Sequence, residues 1–155
     1  MPTGKIVYNI NEVFSELNKL SSSLKKYGYE GGGALVIFIG YVKGVVEGKK
    51  VFSLEYEAYE PLASEKLKEI ALSEASTDGV LDIAIYHLVG ELKPGDPAVY
   101  IAVYAVSRGE AFATARRVLE RIKKEVPIFK LEKREDGEFW VIGDRRRIRR
   151  ELSQS

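Results

Sequence analysis

The chain has 155 residues, of which 45% are hydrophobic and 30% are charged, and its formal net charge is +1. This composition is typical of a globular protein with a buried core, so we expect a single domain over residues 1–155. The lack of cysteine and the single histidine exclude a disulfide, a cysteine nucleophile, a cysteinyl zinc site and a multi-histidine metal site.

The first predicted elements are a short strand at residues 5–8 and an amphipathic helix at residues 10–27. The apolar side chains of this helix recur at helical spacing and are Val13, Phe14, Leu17, Leu20 and Leu24. Glycines at 28 and 31–33 make a turn, and the near-continuous apolar run at residues 34–41 is typical of a buried strand. The glycines match no nucleotide-binding loop.

A loop at residues 42–49 leads to a strand at residues 51–59 with alternating sides. One side holds Phe52, Leu54, Tyr56 and Ala58, and the other holds Ser53, Glu55 and Glu57. Pro61 then starts a second helix, because the first helical turn does not need the N–H that proline lacks. The apolar residues of that helix are Leu62, Leu67, Ile70, Ala71 and Ala75.

Residues 80–89 and 98–106 are predicted to form an antiparallel pair, with Pro94, Gly95 and Asp96 in the turn. The third helix covers residues 110–125, and its expected buried stripe is Phe112, Ala115, Val118, Leu119 and Ile122. Helices alternating with mainly antiparallel strands indicate an α+β fold with about three helices.

The end of the chain predicts a hairpin followed by a basic tail. Residues 129–135 and 138–142 flank Asp136 and Gly137, which is a strong signal for a tight hairpin turn. The polar tail at residues 145–155 is compatible with a helix. It includes the run R-R-R-I-R-R at residues 145–150, which suits a contact with a dimer mate or with an anionic partner.

Positive charge is concentrated late in the chain. Residues 1–107 hold 10 Lys and Arg against 14 Asp and Glu, which gives −4, whereas residues 108–150 hold 14 against 8, which gives +6. Two lysines in this basic part, Lys123 and Lys130, lie on either side of Pro127. Because proline stops a helix, the chain should turn back there, which could bring both ammonium groups to one pocket.

Three stretches in order resemble the large subunit of molybdopterin synthase, the MoaE family. They are G-A-L-V-I-F-I-G-Y-V-K with L-E-Y-E-A-Y-E-P-L-A, then H-L-V-G-E-L-K-P-G-D, and finally K-K-E-V-P-I-F-K-L-E with the later W-V. The likeness covers roughly residues 33–144. It implies an α/β hammerhead fold and an enzyme of molybdenum cofactor biosynthesis.

The resemblance also implies a substrate, a partner and an assembly. The substrate is cyclic pyranopterin monophosphate, or precursor Z, and the product is the dithiolene molybdopterin. Sulfur arrives as a thiocarboxylate on the C-terminal tail of a small ubiquitin-like subunit, and the large subunits form the homodimeric core of a heterotetramer. No cofactor is implied. A chain without cysteine agrees with sulfur supplied by a partner.

The family's site residues carry over to positions in this chain. The resemblance assigns catalysis to Lys123 and Lys130. It assigns substrate binding to both lysines and to Tyr41, Val42, Lys43, Ser107, Arg108, Leu131 and Glu132. Cations at such positions suit an anionic substrate and a reaction that develops oxyanions.

Three positions depart from the family pattern. Ser107 replaces a usual histidine and Lys43 a usual arginine, so an imidazolium donor and a bidentate grip on phosphate are lost. Leu88 replaces an arginine after His87. His87 lies in a predicted strand, and we expect it to be a hydrogen-bonded structural residue rather than a catalytic one.

Two other functions stay open on the sequence alone. The departures at Ser107, Lys43 and Leu88 would fit a non-catalytic module that binds ubiquitin-like tails. The arginine run would fit an anion-binding or RNA-binding protein, although no RNA-binding motif accompanies it and nucleic acid is not the expected partner. No apolar run approaches the roughly 20 residues that span a bilayer and no signal peptide is evident, so we expect a cytoplasmic protein without a membrane partner.

Overall fold

The computed structural model describes residues 2–143 and 145–151, apart from the side chains of residues 17, 20–22 and 24. In chain order the elements are β1 (Thr3–Val7), α1 (Ile10–Tyr29), β2 (Ala34–Tyr41), β3 (Val45–Val46), β4 (Lys49–Ala58), α2 (Leu62–Ala75), β5 (Val80–Leu88), β6 (Gly90–Leu92), β7 (Pro97–Ala105), α3 (Arg108–Glu125), β8 (Ile128–Arg134), β9 (Gly137–Ile142) and β10 (Arg146–Arg149).

These strands form two sheets. The first has the order β1-β5-β7-β2, in which only the β1–β5 pair is parallel. The second has the order β10-β9-β8-β4-β3, is antiparallel throughout, and takes in β6 beside β4. With three helices in the described part of the chain, the predicted α+β class is confirmed.

Apolar side chains pack on both faces of the first sheet. On one face, α2 and α3 contribute Leu67, Ile70 and Val118 to a buried cluster with the sheet residues Ile83 and Ile101. On the other face, a second cluster is formed by α1, the first sheet and the second sheet, and its residues include Val13, Leu54, Tyr56, Tyr86 and Tyr100. The first sheet is therefore the middle layer of the molecule.

The strand at residues 34–41 is an edge strand, which corrects the prediction of a buried one. β2 pairs with β7 alone among the described strands, so its other edge is open. Ile37 is 46% exposed and Phe38 is 36% exposed. A near-continuous apolar run predicts burial on both faces, but apolar strands also line surfaces that a further chain can cover.

Three aromatic residues of the predicted apolar faces are exposed, which corrects the buried stripe expected for the third helix at Phe112. Phe52 is exposed and Ser53 is buried, because a bulge between Val51 and Ser53 interrupts the strict alternation of β4. Phe14 and Phe112 are also exposed. In α3 the buried stripe runs through Ala111, Thr114, Ala115, Val118 and Ile122. Of the predicted α1 stripe, the side chains of Leu17, Leu20 and Leu24 lie outside the described residues.

The basic tail forms a strand rather than a helix. β10 pairs antiparallel with β9, and residues 152–155 lie outside the described residues. Within β10, Arg147 holds the buried Glu132 of β8 through two hydrogen bonds, of 2.8 Å from Nε and 3.1 Å from Nη2. Arg134 contacts the same carboxylate at 3.3 Å. The arginine of the tail thus neutralises a carboxylate inside the protein.

We expect Arg147→Ala to destabilise the fold by about 3 kcal/mol, because it leaves Glu132 buried with one cationic partner instead of two. Urea unfolding would measure this loss. Arg146→Ala is the matched control, since Arg146 is an exposed neighbour on the same strand and its loss should cost less than about 0.5 kcal/mol. Equal losses in the two variants would contradict the role given to Arg147.

Candidate functional site

The chain reverses direction between α3 and β8, where Pro127 was predicted to stop the helix. Lys123 lies exposed in the last turn of α3, which ends at Glu125. The carbonyl of Pro127 accepts a hydrogen bond from the backbone N–H of Tyr59 at 3.0 Å. The reversal is therefore attached to the end of β4, and β8 begins immediately after it.

Lys130 lies on β8, which is flanked by β4 on one side and by β9 on the other. It is opposite Tyr56 of β4 and opposite Val141 of β9, so its backbone is held in the interior of the second sheet. Its Nζ lies 5.4 Å from the centre of the Tyr56 ring, within the range of a cation–π contact. The half-buried lysine thus projects from a rigid strand.

His87 packs against the Tyr56 ring that contacts Lys130. Its imidazole meets the Tyr56 ring edge-on, with 5.3 Å between ring centres. Burial lowers the pKa of His87 to about 4, and the charge of Lys130 acts in the same direction. The imidazole is therefore neutral near pH 7, and its Nδ1 donates to the carbonyl of Leu88 at 2.7 Å. The strand position and the hydrogen bond predicted for His87 are thus present.

Leu131 and Glu132 differ from Lys130 in exposure. Both side chains are buried, and the carboxylate of Glu132 is bound by Arg134 and Arg147. Their surroundings therefore suit a supporting role for the strand that carries Lys130 better than side-chain contact with a substrate.

Tyr41, Val42 and Lys43 follow the end of β2. Val42 is buried and exchanges backbone hydrogen bonds of 2.9 Å with Asp96 and Gly95, whereas Tyr41 and Lys43 are exposed. Gly40 and His87 pair with the same residue of β7, so they are two strand spacings, or about 10 Å, apart. The Tyr41–Lys43 segment therefore lies at the end of the first sheet where His87 lies.

Ser107 and Arg108 lie at the opposite end. They begin α3, and the 15 residues from Arg108 to Lys123 correspond to about 22 Å along a helix. The hydroxyl of Ser107 donates to the carboxylate of Glu110, and this bond lowers the pKa of Glu110. Within one chain, the predicted site residues therefore fall into two groups at the two ends of α3.

The sequence did not predict Tyr56, which contacts Lys130, as a residue of the candidate site. Tyr56 was predicted as one of the apolar residues of a half-buried strand, and its contact with Lys130 follows from the β4–β8 register. No local signal gives that register, because the two residues are 74 positions apart in the sequence. A bulge between Val51 and Ser53 also shifts the pairing of β4 with β8. The family motif L-E-Y-E-A-Y, which includes Tyr56, is the sequence feature that draws attention to this residue.

Among the described residues, no group of three or more His, Asp or Glu side chains is arranged to hold a metal ion. The helices in that part of the chain are also too short or too polar to span a bilayer. The predicted site residues offer the ammonium groups of Lys43, Lys123 and Lys130, the guanidinium of Arg108 and the hydroxyl groups of Tyr41 and Ser107.

Comparison with known proteins identifies the family of this chain. The family model for the MoaE protein matches residues 13–125. The chain belongs to the MoaE family. The resemblance noted in the sequence is thereby confirmed.

Two of the proteins similar to this chain are a molybdopterin synthase catalytic subunit and a molybdopterin synthase of known structure. The molybdopterin synthase catalytic subunit of Bacillus subtilis is 43% identical over 122 residues, covering 78% of this chain and 76% of the relative. The crystal structure of molybdopterin synthase from Staphylococcus aureus superposes with a TM-score of 0.70 at 33% identity, covering 91% of this chain and 98% of that one.

A more distant structure shares the fold alone. It is the protein–protein complex of subunits 1 and 2 of molybdopterin-converting factor from Helicobacter pylori. It superposes with a TM-score of 0.65 at 18% identity and covers 88% of each chain.

The neutral state of His87 predicts acid sensitivity. The unfolded chain binds a proton on this residue near pH 6.5 and the folded chain only near pH 4, so stability should fall as the pH drops through that window. The loss from this group should reach about 2 kcal/mol at pH 5. Urea unfolding of the wild type and His87→Phe at pH 7 and pH 5 would measure it, and the variant should lose less stability than the wild type. Equal losses would contradict a neutral, buried His87.

Proposed function

We propose that the chain is the catalytic subunit of a molybdopterin synthase and converts precursor Z to molybdopterin. The observation that carries the proposal is the pair Lys123 and Lys130, which flank a chain reversal attached to β4 in a member of the MoaE family. An anionic pterin phosphate and developing oxyanions both need fixed cations, which such a pair supplies.

The two lysines have different settings and therefore different proposed roles. Lys123 is exposed at a helix end, where it can reach the carbonyl carbon of a thiocarboxylate that enters from outside. Lys130 is held over Tyr56 on a central strand, which suits binding of the substrate and stabilisation of negative charge. Lys43 adds an exposed cation at the end of the first sheet where His87 lies.

Sulfur comes from a partner in this proposal. The chain has no cysteine to carry a persulfide, so the donor is the C-terminal thiocarboxylate of a small ubiquitin-like subunit. The Helicobacter pylori structure with the same fold is itself a complex of two different subunits, which supports a partner of this kind. The cytoplasmic location expected from the sequence is part of the proposal.

A second copy of the chain would complete the site. Arg108 is about 22 Å from Lys123 along α3, too far for both to contact one phosphate group within one chain. The open edge of β2, with Ile37 and Phe38 exposed, offers a self-complementary surface for a two-fold dimer.

The strand directions support that dimer. If two β2 edges pair antiparallel, the Ala34 end of one copy lies beside the Tyr41 end of the other. Ala34 pairs with Ala105, which immediately precedes the segment leading to Ser107 and Arg108. Ser107 and Arg108 of one copy are thereby brought towards Tyr41–Lys43 of the other.

Loss of either lysine should abolish most of the activity. We expect Lys123→Ala and Lys130→Ala each to lower kcat by at least about 100-fold, in an assay with thiocarboxylated small subunit and precursor Z that measures molybdopterin. Lys124→Ala is the matched control, since Lys124 is an exposed neighbour in the same helical turn, and it should keep wild-type kcat. Wild-type turnover in either lysine variant would contradict the roles given to the lysines, and tail binding without turnover in the unsubstituted chain would instead support a non-catalytic tail-binding module.

Mixed dimers test the shared site. A chain with Lys123→Ala and a chain with Arg108→Ala, carrying different tags and purified together, should form dimers with one intact site and about half of the wild-type activity. Each variant alone should be nearly inactive. If the mixed dimer is as inactive as the single variants, Lys123 and Arg108 act within one chain and the proposed dimer is wrong.

The RNA-binding alternative loses its main support. Arg147 binds Glu132, Arg149 donates to the carbonyl of Asp136, and Arg150 pairs with Glu138. Three of the five arginines in the basic run are therefore engaged by the chain itself, which leaves fewer of them for contacts with phosphates.

A further inference from the structure

Tyr56 supports Lys130 from the neighbouring strand. The two residues are directly opposed in the β4–β8 ladder, so their side chains project from the same face of the second sheet. The ammonium group lies 5.4 Å from the ring centre. An aromatic face attracts a cation, and this attraction strengthens as the groups are removed from water.

The ring itself is fixed and uncharged. Tyr56 is only 7% exposed, and both burial and the charge of Glu132 raise the pKa of its hydroxyl to about 12. His87 packs against the ring at an interplanar angle of 64°, and its own position is set by the hydrogen bond to the carbonyl of Leu88. Because the imidazole is neutral and buried, it adds no second cation beside Lys130.

We infer that Tyr56, backed by His87, is a positioning residue that holds the Lys130 ammonium group in place for the anionic substrate. This inference rests on the proposed role of Lys130 in molybdopterin synthesis. A lysine has four rotatable side-chain bonds, so a fixed ring face beneath its ammonium group lowers the number of positions that the charge adopts. The aromatic ring is the part of Tyr56 that matters, and its hydroxyl is not.

The test compares ring-keeping and ring-removing variants in the complete enzyme, with thiocarboxylated small subunit and precursor Z. Tyr56→Phe should keep kcat within about twofold of the wild type, whereas Tyr56→Leu should lower kcat about tenfold. Tyr56→Met serves the same purpose as Tyr56→Leu if the latter does not fold. Tyr29→Leu, a tyrosine change at an exposed position far along α1, is the control and should leave kcat unchanged.

A spectroscopic readout separates positioning from general destabilisation. In ¹³C-lysine-labelled protein, the Cε protons of Lys130 should be shifted upfield by the ring current of Tyr56. The signal is assigned by its loss in Lys130→Arg. The shift should persist in Tyr56→Phe and disappear in Tyr56→Leu, while the other lysine signals keep their positions.

The outcomes distinguish this inference from the proposed function. If Lys130→Ala keeps full turnover, the proposed role of Lys130 fails. If Lys130→Ala is impaired but Tyr56→Leu keeps wild-type kcat, or if the wild type shows no ring-current shift at Lys130, the positioning role of Tyr56 is overturned while the proposed function stands.

Discussion

The backbone ladder between β4 and β8 is the constraint on which the candidate site depends. It places Tyr56 opposite Lys130 and Leu54 opposite Glu132. Just beyond the ladder, the Tyr59 N–H binds the carbonyl of Pro127, so the end of α3 is fixed relative to the same strand. A shift of this register by one residue would turn Lys130 to the other face of the sheet, because successive side chains of a strand alternate. The position of Lys123 relative to β8 depends on the same pairing.

Part of the positive charge in the chain stabilises the fold by pairing with buried carboxylates. The basic last third of the chain supplies the cations for buried or half-buried carboxylates: Arg117 and Arg121 bind Glu74 between α3 and α2, and Arg134 and Arg147 bind Glu132. Leaving a buried carboxylate without its cation costs several kcal/mol, so these arginines are needed for the fold itself. The excess of positive charge in the sequence is therefore not a measure of how much of the surface can bind an anion.

The sequence predicted elements whose signals are local. The Asp136-Gly137 hairpin, the end of α3 before Pro127 and the apolar stripe at Ala115, Val118 and Ile122 all follow from turn chemistry or helical spacing, and all are present. Features that depend on distant pairings could not be predicted in this way. The exposure of β2 depends on which strand lies beside it, the burial of Ser53 depends on a bulge, and β10 is a strand because β9 offers it an edge.

The same division applies to the site. The family motif indicates Lys123 and Lys130, and the predicted helix at residues 110–125 already separates Arg108 from Lys123, but only the fold shows that the two lie towards opposite ends of the first sheet. In a helix that packs along the first sheet, the N-terminal and C-terminal residues lie at opposite ends of the sheet, and no side-chain rotation closes a gap of about 22 Å. A ligand that needs both ends must therefore be much longer than a pterin phosphate, or it must meet two copies of the chain. The open, apolar edge of β2 runs between those two ends. Two copies paired along this edge would complete both sites through a single two-fold axis, which favours two copies of the chain over a longer ligand.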